Sequence, residues 1–462
     1  MKSKTNDAKS ITERIFKLKQ NKTNVKTEIM AGITIFLSMA YILAVNPSML
    51  ADAGMSPPAV FTATAISAVI GTLCMAFFAN YPVALASGMG LNAYFAYSVC
   101  VPLAEAGIND PWKIALTAVF VEGIIFILLS AVKFRETLVN KVPVNLKLGI
   151  TVGIGLFIAI VGLESAGVVA GDPSSLVTLG DMRSPQCVLT AAGIIITGVL
   201  YFKNVKGYVL WGMLATWLLG IIAQLAGWYV VDEAAGAASL IPDFSGYSLM
   251  PAAPEIFAFD FSYAASHVLD FAVIVFSFLF VDLFDTVGTL IGVADRGNML
   301  DKNGNLPRVG GALMADAVGT VVGACLGTST VTSYAESSTG VAQGGRTGLT
   351  AVSAACCFAA AIFLAPVFLA VPGFATAPAL VFVGLLMMSS VKKMKFEGDI
   401  ADVVGGFMAI IMMPFTYSIA NGIMFGIMTW VILKIITGKI REIHPVMWVS
   451  FALFVLRLII GV

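Results

Sequence analysis

Residues 278–290 read FLFVDLFDTVGTL and combine a long apolar run with two carboxylates, Asp282 and Asp285. They lie in an apolar block over 267–293, which is long enough to cross a hydrocarbon core about 30 Å thick at roughly 1.5 Å per residue. Ionisable groups at membrane depth are costly and are therefore functional candidates. This stretch predicts a membrane-spanning helix that carries functional carboxylates.

The composition of the 462-residue chain also indicates a membrane protein. Hydrophobic residues make up 58% of the chain and charged residues only 12%, whereas a soluble domain carries about 25% charged residues. The mean hydropathy is +0.92, and 44 glycines are typical of membrane helices that pack through small side chains. The formal net charge is zero, so we expect no nucleic-acid partner.

The apolar blocks predict an all-α polytopic membrane protein with 14 transmembrane spans. The predicted spans are 29–50, 59–79, 83–100, 113–132, 148–165, 187–202, 207–231, 267–293, 311–327, 328–345, 349–371, 376–391, 401–416 and 419–437. The predicted divisions are a cytoplasmic tail over 1–28, a seven-span repeat over 29–231, an extracytoplasmic loop over 232–266, a second seven-span repeat over 267–437 and a C-terminal segment over 438–462.

The distribution of positive charge sets the predicted orientation. The N-terminal tail and every second loop carry nearly all of the 27 Lys and Arg residues, and basic loops stay in the cytoplasm. Both termini are therefore predicted to be cytoplasmic, in the inner (plasma) membrane. A last apolar block over 446–461 is predicted to lie in the interface or to pack on the bundle, because a fifteenth crossing would carry the C-terminus outside.

The third and tenth spans carry related, irregular motifs. These are SGMGLNAYFAYS (87–98) and GTSTVTSYAESSTG (327–340), and each follows a small-residue helix that contains SAVIGT (67–72) or DAVGT (316–320). An odd number of spans in each half gives an inverted repeat, with a binding site near the midplane. Non-helical backbone at membrane depth is tolerated only where it is buried or lines a cavity, so both spans are predicted to be broken at this site.

Three carboxylates are the main site candidates. Asp282 and Asp285 are three positions apart on a helix and share one face, so we expect one of them to bind a proton, a cation or a substrate N–H. A structural hydrogen bond is the alternative for either residue. Glu336 lies at a predicted helix start, where it either contacts the substrate or only caps the helix.

The remaining candidates lie in the third, fourth and ninth spans. Gly88 and Gly90 would let a ligand approach the backbone or would serve helix packing alone. Asn92 offers both a donor and an acceptor. Glu122 is either a structural partner or part of a proton path, and Asp316 is predicted to be a helix cap.

Several function classes lack their motifs in this sequence. An ATP-driven pump would need a Gly-Lys-Ser phosphate loop, and an intramembrane enzyme would need a nucleophile or a metal set. A channel would need a continuous polar pore. A secondary transporter without cofactor or metal remains, and its carboxylates suit protons as the coupling ion, with sodium as the alternative.

The chain resembles the Azg-like hypoxanthine–guanine–adenine permeases from about residue 25 to 460. The motifs are FVDLFDTVGTL (280–290), GTSTVTSYAESSTGVAQGGRTGLT (327–350), GMGLNAYFAYS (88–98), GITIFLSMAYILAVNP (32–47), TAPALVFVGLLM (376–387) and MMPFTYSIANGI (412–423). The resemblance implies proton-coupled purine uptake and the fold of uracil and xanthine transporters. That fold has a core domain of spans 1–4 and 8–11 and a gate domain of spans 5–7 and 12–14.

The resemblance also implies roles for single residues. The family's substrate-binding positions fall on Asp282, Glu336, Asn92 and Gly90, and Asp285 matches a second position needed for transport. Glu122 is grouped with Asp285 as a coupling or supporting residue.

The expected cargo is a purine nucleobase, held by its polar edge and flanked by Phe95 and Phe284. Hypoxanthine and guanine are favoured, and an adenine-preferring permease or another cargo of the same fold, such as uracil, xanthine or sulfate, is the alternative. Besides the substrate, the expected partner is the lipid bilayer, and a homodimer is left open.

Overall fold

The computed structural model describes most of the chain, and helices form most of what it describes. The described residues are 12–131, 142–172, 176–231, 239–241, 250–300 and 306–460. Within them, ten helical segments are long and apolar enough to cross a membrane. A polytopic helical membrane protein is therefore the observed class. Within the predicted loop over 232–266, residues 232–238 and 242–249 lie outside the described residues.

The helices follow the predicted apolar blocks. In the first half they are α1 Val25–Met39, α2 Ile42–Ala51, α3 Pro57–Cys74, α4 Met89–Ala93, α5 Val101–Glu105, α6 Pro111–Ala131, α7 Val144–Ser165, α8 Pro185–Phe202 and α9 Tyr208–Leu225. In the second half they are α10 Ser262–Ser266, α11 Val268–Arg296, α12 Val309–Leu326, α13 Ser337–Ala342, α14 Gly348–Ala361, α15 Ala365–Leu369, α16 Gly373–Met388, α17 Ile400–Phe415, α18 Ile419–Ile436 and α19 Pro445–Ile460.

Side-chain caps define where several of these helices begin. The side chains of Asn24, Ser184, Thr347, Asp399 and Ser418 each accept a hydrogen bond from a backbone N–H in the first turn of the following helix. Such a cap satisfies a donor that has no partner within the helix, and its loss costs about 1 kcal/mol. Helix starts at the membrane boundary are therefore encoded locally.

Within the part of the chain that the structure describes, four short strands complete the fold. They are β1 Leu85–Ser87, β2 Val169–Asp172, β3 Leu176–Leu179 and β4 Val331–Ser333. β2 and β3 form a hairpin between α7 and α8. β1 and β4 pair antiparallel although they lie in different halves of the chain, with Ala86 opposite Thr332. The third and tenth apolar blocks are therefore each broken into a strand followed by a helix.

The long helices pack into two groups. The first group contains α1, α3, α6, α11, α12 and α14, and the β1–β4 pair lies within it. The second group contains α7, α8, α9, α16, α17 and α18. Helices of the second group approach very closely, because a Cβ added to Gly384 would lie 2.4 Å from the carbonyl oxygen of Gly155. Only glycine permits that contact between α7 and α16, as expected for membrane helices that pack through small residues.

The two ends of the chain pack onto these groups. Phe16 and Leu18 in the N-terminal segment are buried, and the Asn80 side chain donates to the Phe16 carbonyl at 3.1 Å. At the other end, α19 packs on α11 and α18, with the Phe454 ring 5.8 Å from that of Phe276. The last apolar block therefore contacts a helix of each group.

Candidate functional site

A cavity of about 80 Å³ lies between the two helix groups. The first group contributes residues of α11, of the β1–α4 break and of the β4–α13 break, and the second group contributes residues of α16. The two chain breaks therefore meet at the cavity, as the sequence motifs predicted.

The wall from the first group is polar. Asp285 and Thr289 reach it from α11, and Glu336 reaches it from the turn before α13. Tyr41, at the start of α2, donates a hydrogen bond from Oη to Glu336 Oε1 at 2.7 Å. Glu336 makes no capping hydrogen bond to α13, so its carboxylate is held by the tyrosine and faces the cavity.

The wall from the second group is apolar. Val383, Leu386 and Met387 of α16 lie opposite the polar residues. Beside this wall, Gly90 packs against α7 so closely that an added Cβ would lie 2.7 Å from Ile154 Cγ2. A flat molecule in the cavity would thus have hydrogen-bonding groups on one side and aliphatic groups on the other.

The structure separates the predicted site residues into two sets. Asp285, Glu336 and Gly90 line the cavity. Asp282, Asn92 and Glu122 are fully buried and are not part of the cavity lining. All six lie in or next to the broken segments, but only the first three are positioned to contact a ligand directly.

Asn92 and Glu122 contact the TSTVT segment (328–332) directly, and Asp282 is linked to it through Thr286. Each hydroxyl of this segment lies within hydrogen-bond distance of a polar side chain from a different element. The pairs are Thr328 Oγ1 with Ser87 Oγ (2.8 Å), Ser329 Oγ with Asn92 Oδ1, Thr330 Oγ1 with Glu122 Oε2 (3.1 Å) and Thr332 Oγ1 with Thr286 Oγ1 (2.7 Å). The extended backbone next to the cavity is therefore fixed by a buried polar network.

Two aspartates belong to this network. Thr286 Oγ1 lies 3.1 Å from Asp282 Oδ1 and 2.8 Å from Asp316 Oδ1. The prediction that Asp316 caps a helix is wrong, because this residue is fully buried within α12 and faces α11. A single threonine hydroxyl thus links two carboxylates from neighbouring helices behind the strand pair.

Of the two predicted aromatic flanks, Phe95 is not at the cavity. Phe95 is fully buried, with its ring 6.4 Å from that of Phe278, and it is not part of the cavity lining. The Phe284 side chain lies outside the described part of the structure. The residues that cover the apolar side are Val383, Leu386 and Met387.

The cavity continues toward the basic end of the molecule. Two larger cavities adjoin it, one reaching Asp285 and the other reaching Glu336, and Arg296 lines both. Lys147 and Lys393 line the first and Lys206 lines the second. The site is therefore accessible from the end at which these cations lie.

A tyrosine–carboxylate cluster lies where the C-terminal ends of α2 and α7 approach the α17–α18 turn. In the first group, Tyr97 Oη donates to Asp52 Oδ2 at 2.7 Å. In the second group, Tyr417 Oη, in the turn between α17 and α18, donates to Glu164 Oε2 of α7. The two tyrosine rings meet across the interface at 6.0 Å. Next to them the Ile419 N–H donates to Ser98 Oγ at 3.3 Å, which joins the two groups directly.

Sequence reasoning missed part of the cavity lining. Tyr41 lies in the motif GITIFLSMAYILAVNP (32–47), where a hydroxyl within an apolar run was the available signal. Val383, Leu386 and Met387 gave no signal, because aliphatic residues are expected everywhere in a membrane helix. Within the described residues, no three His, Cys, Asp or Glu side chains are arranged to hold a metal ion.

Comparisons with known proteins agree with this architecture. The transmembrane domain of a cyanobacterium bicarbonate transporter, BicA, has the same fold with a TM-score of 0.65 at 15% identity, over 87% of this chain and 97% of that one. The guanine/hypoxanthine permease PbuO of Bacillus subtilis is 45% identical over 96% of this chain and 100% of its own length. The adenine permease AdeP of Escherichia coli is 40% identical over 97% and 96%.

A family model described as "Permease family" matches residues 26–425. That range includes both chain breaks and every residue that lines the cavity. The chain is therefore a member of this permease family, a membrane transporter and not an enzyme.

Proposed function

We propose that this permease imports purine nucleobases, with hypoxanthine and guanine favoured, by proton symport. The observation that carries the proposal is the cavity between the helix groups, which has Asp285 and Glu336 on one wall and aliphatic side chains on the other. A purine has N–H donors on a flat edge and two apolar faces, which fit these two walls. The names of PbuO and AdeP support the same cargo class.

In the proposed complex, Glu336 and Asp285 accept hydrogen bonds from N–H groups of the base. Tyr41 holds the Glu336 carboxylate in place, and Gly90 lets the backbone of the broken third span lie close to α7 beside the base. The predicted substrate residues Asp282 and Asn92 act from behind the cavity, where they keep the extended segment in position. A mismatched donor or acceptor would be left unpaired in this site, which gives strong selectivity.

The proposed transport cycle moves the two helix groups against each other. The first group is the core domain and the second is the gate domain of a fold with 14 spans in two inverted repeats, over 29–231 and 267–437. The basic end faces the cytoplasm of the plasma membrane, where both termini lie, and the Tyr97–Tyr417 cluster closes the extracytoplasmic route. Secondary transporters of this kind bind substrate between the repeats at the midplane.

A competition assay tests the cargo. Uptake of radiolabelled hypoxanthine is measured in a strain that lacks purine transport, with each unlabelled base in excess. Guanine should compete strongly, adenine weakly, and uracil and xanthine least. A variant Glu336→Gln at equal membrane abundance provides the background. Efficient competition by uracil, with no effect of guanine, would contradict the proposal.

The preference for 6-oxopurines has a physical basis. Hypoxanthine and guanine present N1–H beside O6, whereas adenine presents a bare N1 beside an amino group. A carboxylate that faces N1 accepts a hydrogen bond from the N1–H of hypoxanthine or guanine. The same carboxylate is left unpaired by adenine, at a cost of about 1–3 kcal/mol. That cost corresponds to a discrimination between roughly fivefold and 150-fold.

Adenine as the preferred cargo is the second candidate. It is favoured by the similarity to AdeP, which is almost as high as that to PbuO. A protonated carboxyl opposite N1 would donate to adenine and reverse the preference. Adenine competing better than guanine in the same assay would select this alternative.

A further inference from the structure

One face of α11 forms an open groove that leads from the cavity of the proposed base site to the basic end of the molecule. Asp285, Thr289, Gly292 and Arg296 lie three or four positions apart on this face and line one adjoining cavity of about 540 Å³. Asp285 and Thr289 also line the base site, so the two cavities are continuous. A Cβ added to Gly288 or Gly292 would meet nothing within 4 Å among the described residues, so the groove is open there.

The charge along this groove changes sign. At the inner end, the carboxylates of Asp285 and Glu336 face the base site. At the outer end, Arg296 of α11 meets Lys147 of α7 and Lys393 of the turn after α16. Asp285 is the only acidic residue in the described lining of the groove, and Arg296 makes no salt bridge within the described part of the chain. The groove therefore suits a ligand with N–H donors at one end and an anionic group at the other.

Membrane topology alone would also place cations at this end. Cytoplasmic loops are rich in Lys and Arg, and Arg296 in the last turn of α11 complements the helix C-terminus. Neither effect requires cations from three separate elements to line one passage that is continuous with the base site. Their convergence, and not their number, indicates an anionic group in the passage.

The length of the groove restricts the ligand further. Asp285 and Arg296 are eleven positions apart on one helix, which corresponds to about 16 Å along its axis. A base alone would leave the outer part of this distance unfilled, whereas a base, a ribose and a phosphate placed end to end extend toward the cations. Side chains on a helix lean toward its N-terminus, so the Arg296 guanidinium can reach back toward such a phosphate.

We propose that the groove binds a purine 5′-mononucleotide from the basic end, with its base in the cavity beside Glu336 and its phosphate among Arg296, Lys147 and Lys393. The inference rests on the proposed purine transport and adds its regulation. Arg296 belongs to the first helix group, and the two lysines belong to the second. A phosphate that contacts both groups would hold them together, so the nucleotide is an inhibitor and not a cargo.

The proposed inhibitor is also a chemical product of the proposed cargo. Transfer of a ribose phosphate to a ring nitrogen converts an imported base into a mononucleotide. Import would therefore slow as this product accumulates on the side from which the groove opens.

Displacement of radiolabelled hypoxanthine from the purified protein tests the inference with three ligands. Inosine 5′-monophosphate contains the base, the ribose and the phosphate, inosine lacks the phosphate, and ribose 5-phosphate lacks the base. On the wild-type protein, the monophosphate should displace hypoxanthine at a concentration about tenfold lower than inosine does, because hydrogen bonds to charged groups are among the stronger ones. Ribose 5-phosphate should not displace it.

A pair of charge variants separates the groove from general attraction to the basic end. Arg296→Gln should raise the concentration of inosine 5′-monophosphate needed for displacement about tenfold. It should leave the values for hypoxanthine and inosine unchanged, which also shows that the variant is folded. Arg308→Gln removes an exposed cation that does not line the groove, so it should change none of the three values.

Four results would overturn the inference alone. They are equal displacement by inosine and its monophosphate, displacement by ribose 5-phosphate, an unchanged monophosphate value in Arg296→Gln, and an equal effect of Arg296→Gln and Arg308→Gln. In each case hypoxanthine still binds, and the proposed function stands. If the wild-type protein binds no hypoxanthine at all, the proposed function fails instead.

Discussion

Replacing Tyr41 by Phe should weaken hypoxanthine binding at least tenfold, and it should do so through Glu336. The tyrosine is fully buried and donates to Glu336 Oε1 at 2.7 Å, so the substitution removes this donor from the carboxylate. Hydrogen bonds to charged groups contribute about 1.5–3 kcal/mol. Since about 1.4 kcal/mol corresponds to a factor of ten, the expected loss of affinity lies between roughly tenfold and 150-fold.

A double-mutant cycle isolates this contact from general damage. Equilibrium binding of radiolabelled hypoxanthine is measured on purified wild-type protein, Tyr41→Phe, Glu336→Gln and the double variant, so that variants without transport can still be compared. Tyr41→Phe should reduce the affinity for hypoxanthine at least tenfold when Glu336 is present. It should reduce the affinity less than about threefold when Gln replaces Glu336. Coupling of this size is expected only for residues in direct contact.

A buried tyrosine elsewhere provides the control. Tyr81 is 3% exposed and lies outside the cavity lining, so Tyr81→Phe should leave binding unchanged. The reasoning would be refuted if Tyr41→Phe kept wild-type affinity, or if it weakened binding equally in both backgrounds. The second result would mean that Tyr41 acts on the ligand or on the fold independently of Glu336.

Three further predictions test other parts of the site. Asp282→Asn should abolish or severely reduce uptake while the protein still reaches the membrane, because it alters the carboxylate beside Thr286; normal uptake would remove Asp282 from the functional set. Gly90→Ala should reduce uptake, since the new methyl meets Ile154 Cγ2 at 2.7 Å and overpacking costs about 1–3 kcal/mol. Ile154→Ala should partly restore that activity, while Gly310→Ala, where the added methyl meets nothing within 4 Å, should be harmless. A protonophore should abolish uptake in energised vesicles, and unchanged initial rates would contradict proton symport.

The sequence predicted the helices well because membrane helices can be recognised one at a time. A bilayer requires each crossing to satisfy its own backbone hydrogen bonds, so apolar length and capping residues such as Asn24 and Ser418 carry most of the information. The breaks were predicted from Gly88, Gly90 and the β-branched run before Glu336. All of these signals lie within one short stretch of chain.

The pairing of the two breaks could not be predicted in the same way. Ala86 lies opposite Thr332 in the strand pair, and the partners are separated by most of the first half and part of the second. A three-residue strand carries no signal for its partner. The Asp316 prediction was wrong for a related reason, because the threonine on α11 that contacts it is 30 positions away.

Helix geometry explains why Asp285, and not Asp282, reaches the cavity. At 3.6 residues per turn, side chains three positions apart differ in direction by about 60°. The sequence argument placed both residues on one face of the helix, which is correct to within about 60°. In the structure, the same 60° is enough to direct Asp285 into the cavity and Asp282 toward Thr286 and Asp316.

The distribution of polar and apolar residues around the cavity bears on how the protein can move. Tyr41, Glu336 and the TSTVT network belong to the first helix group. Their hydrogen bonds join side chains of different elements of that group, so a shift of one element would break them. The second group faces the cavity with Val383, Leu386 and Met387. Aliphatic contacts are not directional, so this wall can slide along a bound base without leaving buried donors or acceptors unpaired. In the proposed transport cycle, the first group would recognise the base, and the second group would move, because its contacts cost least to rearrange.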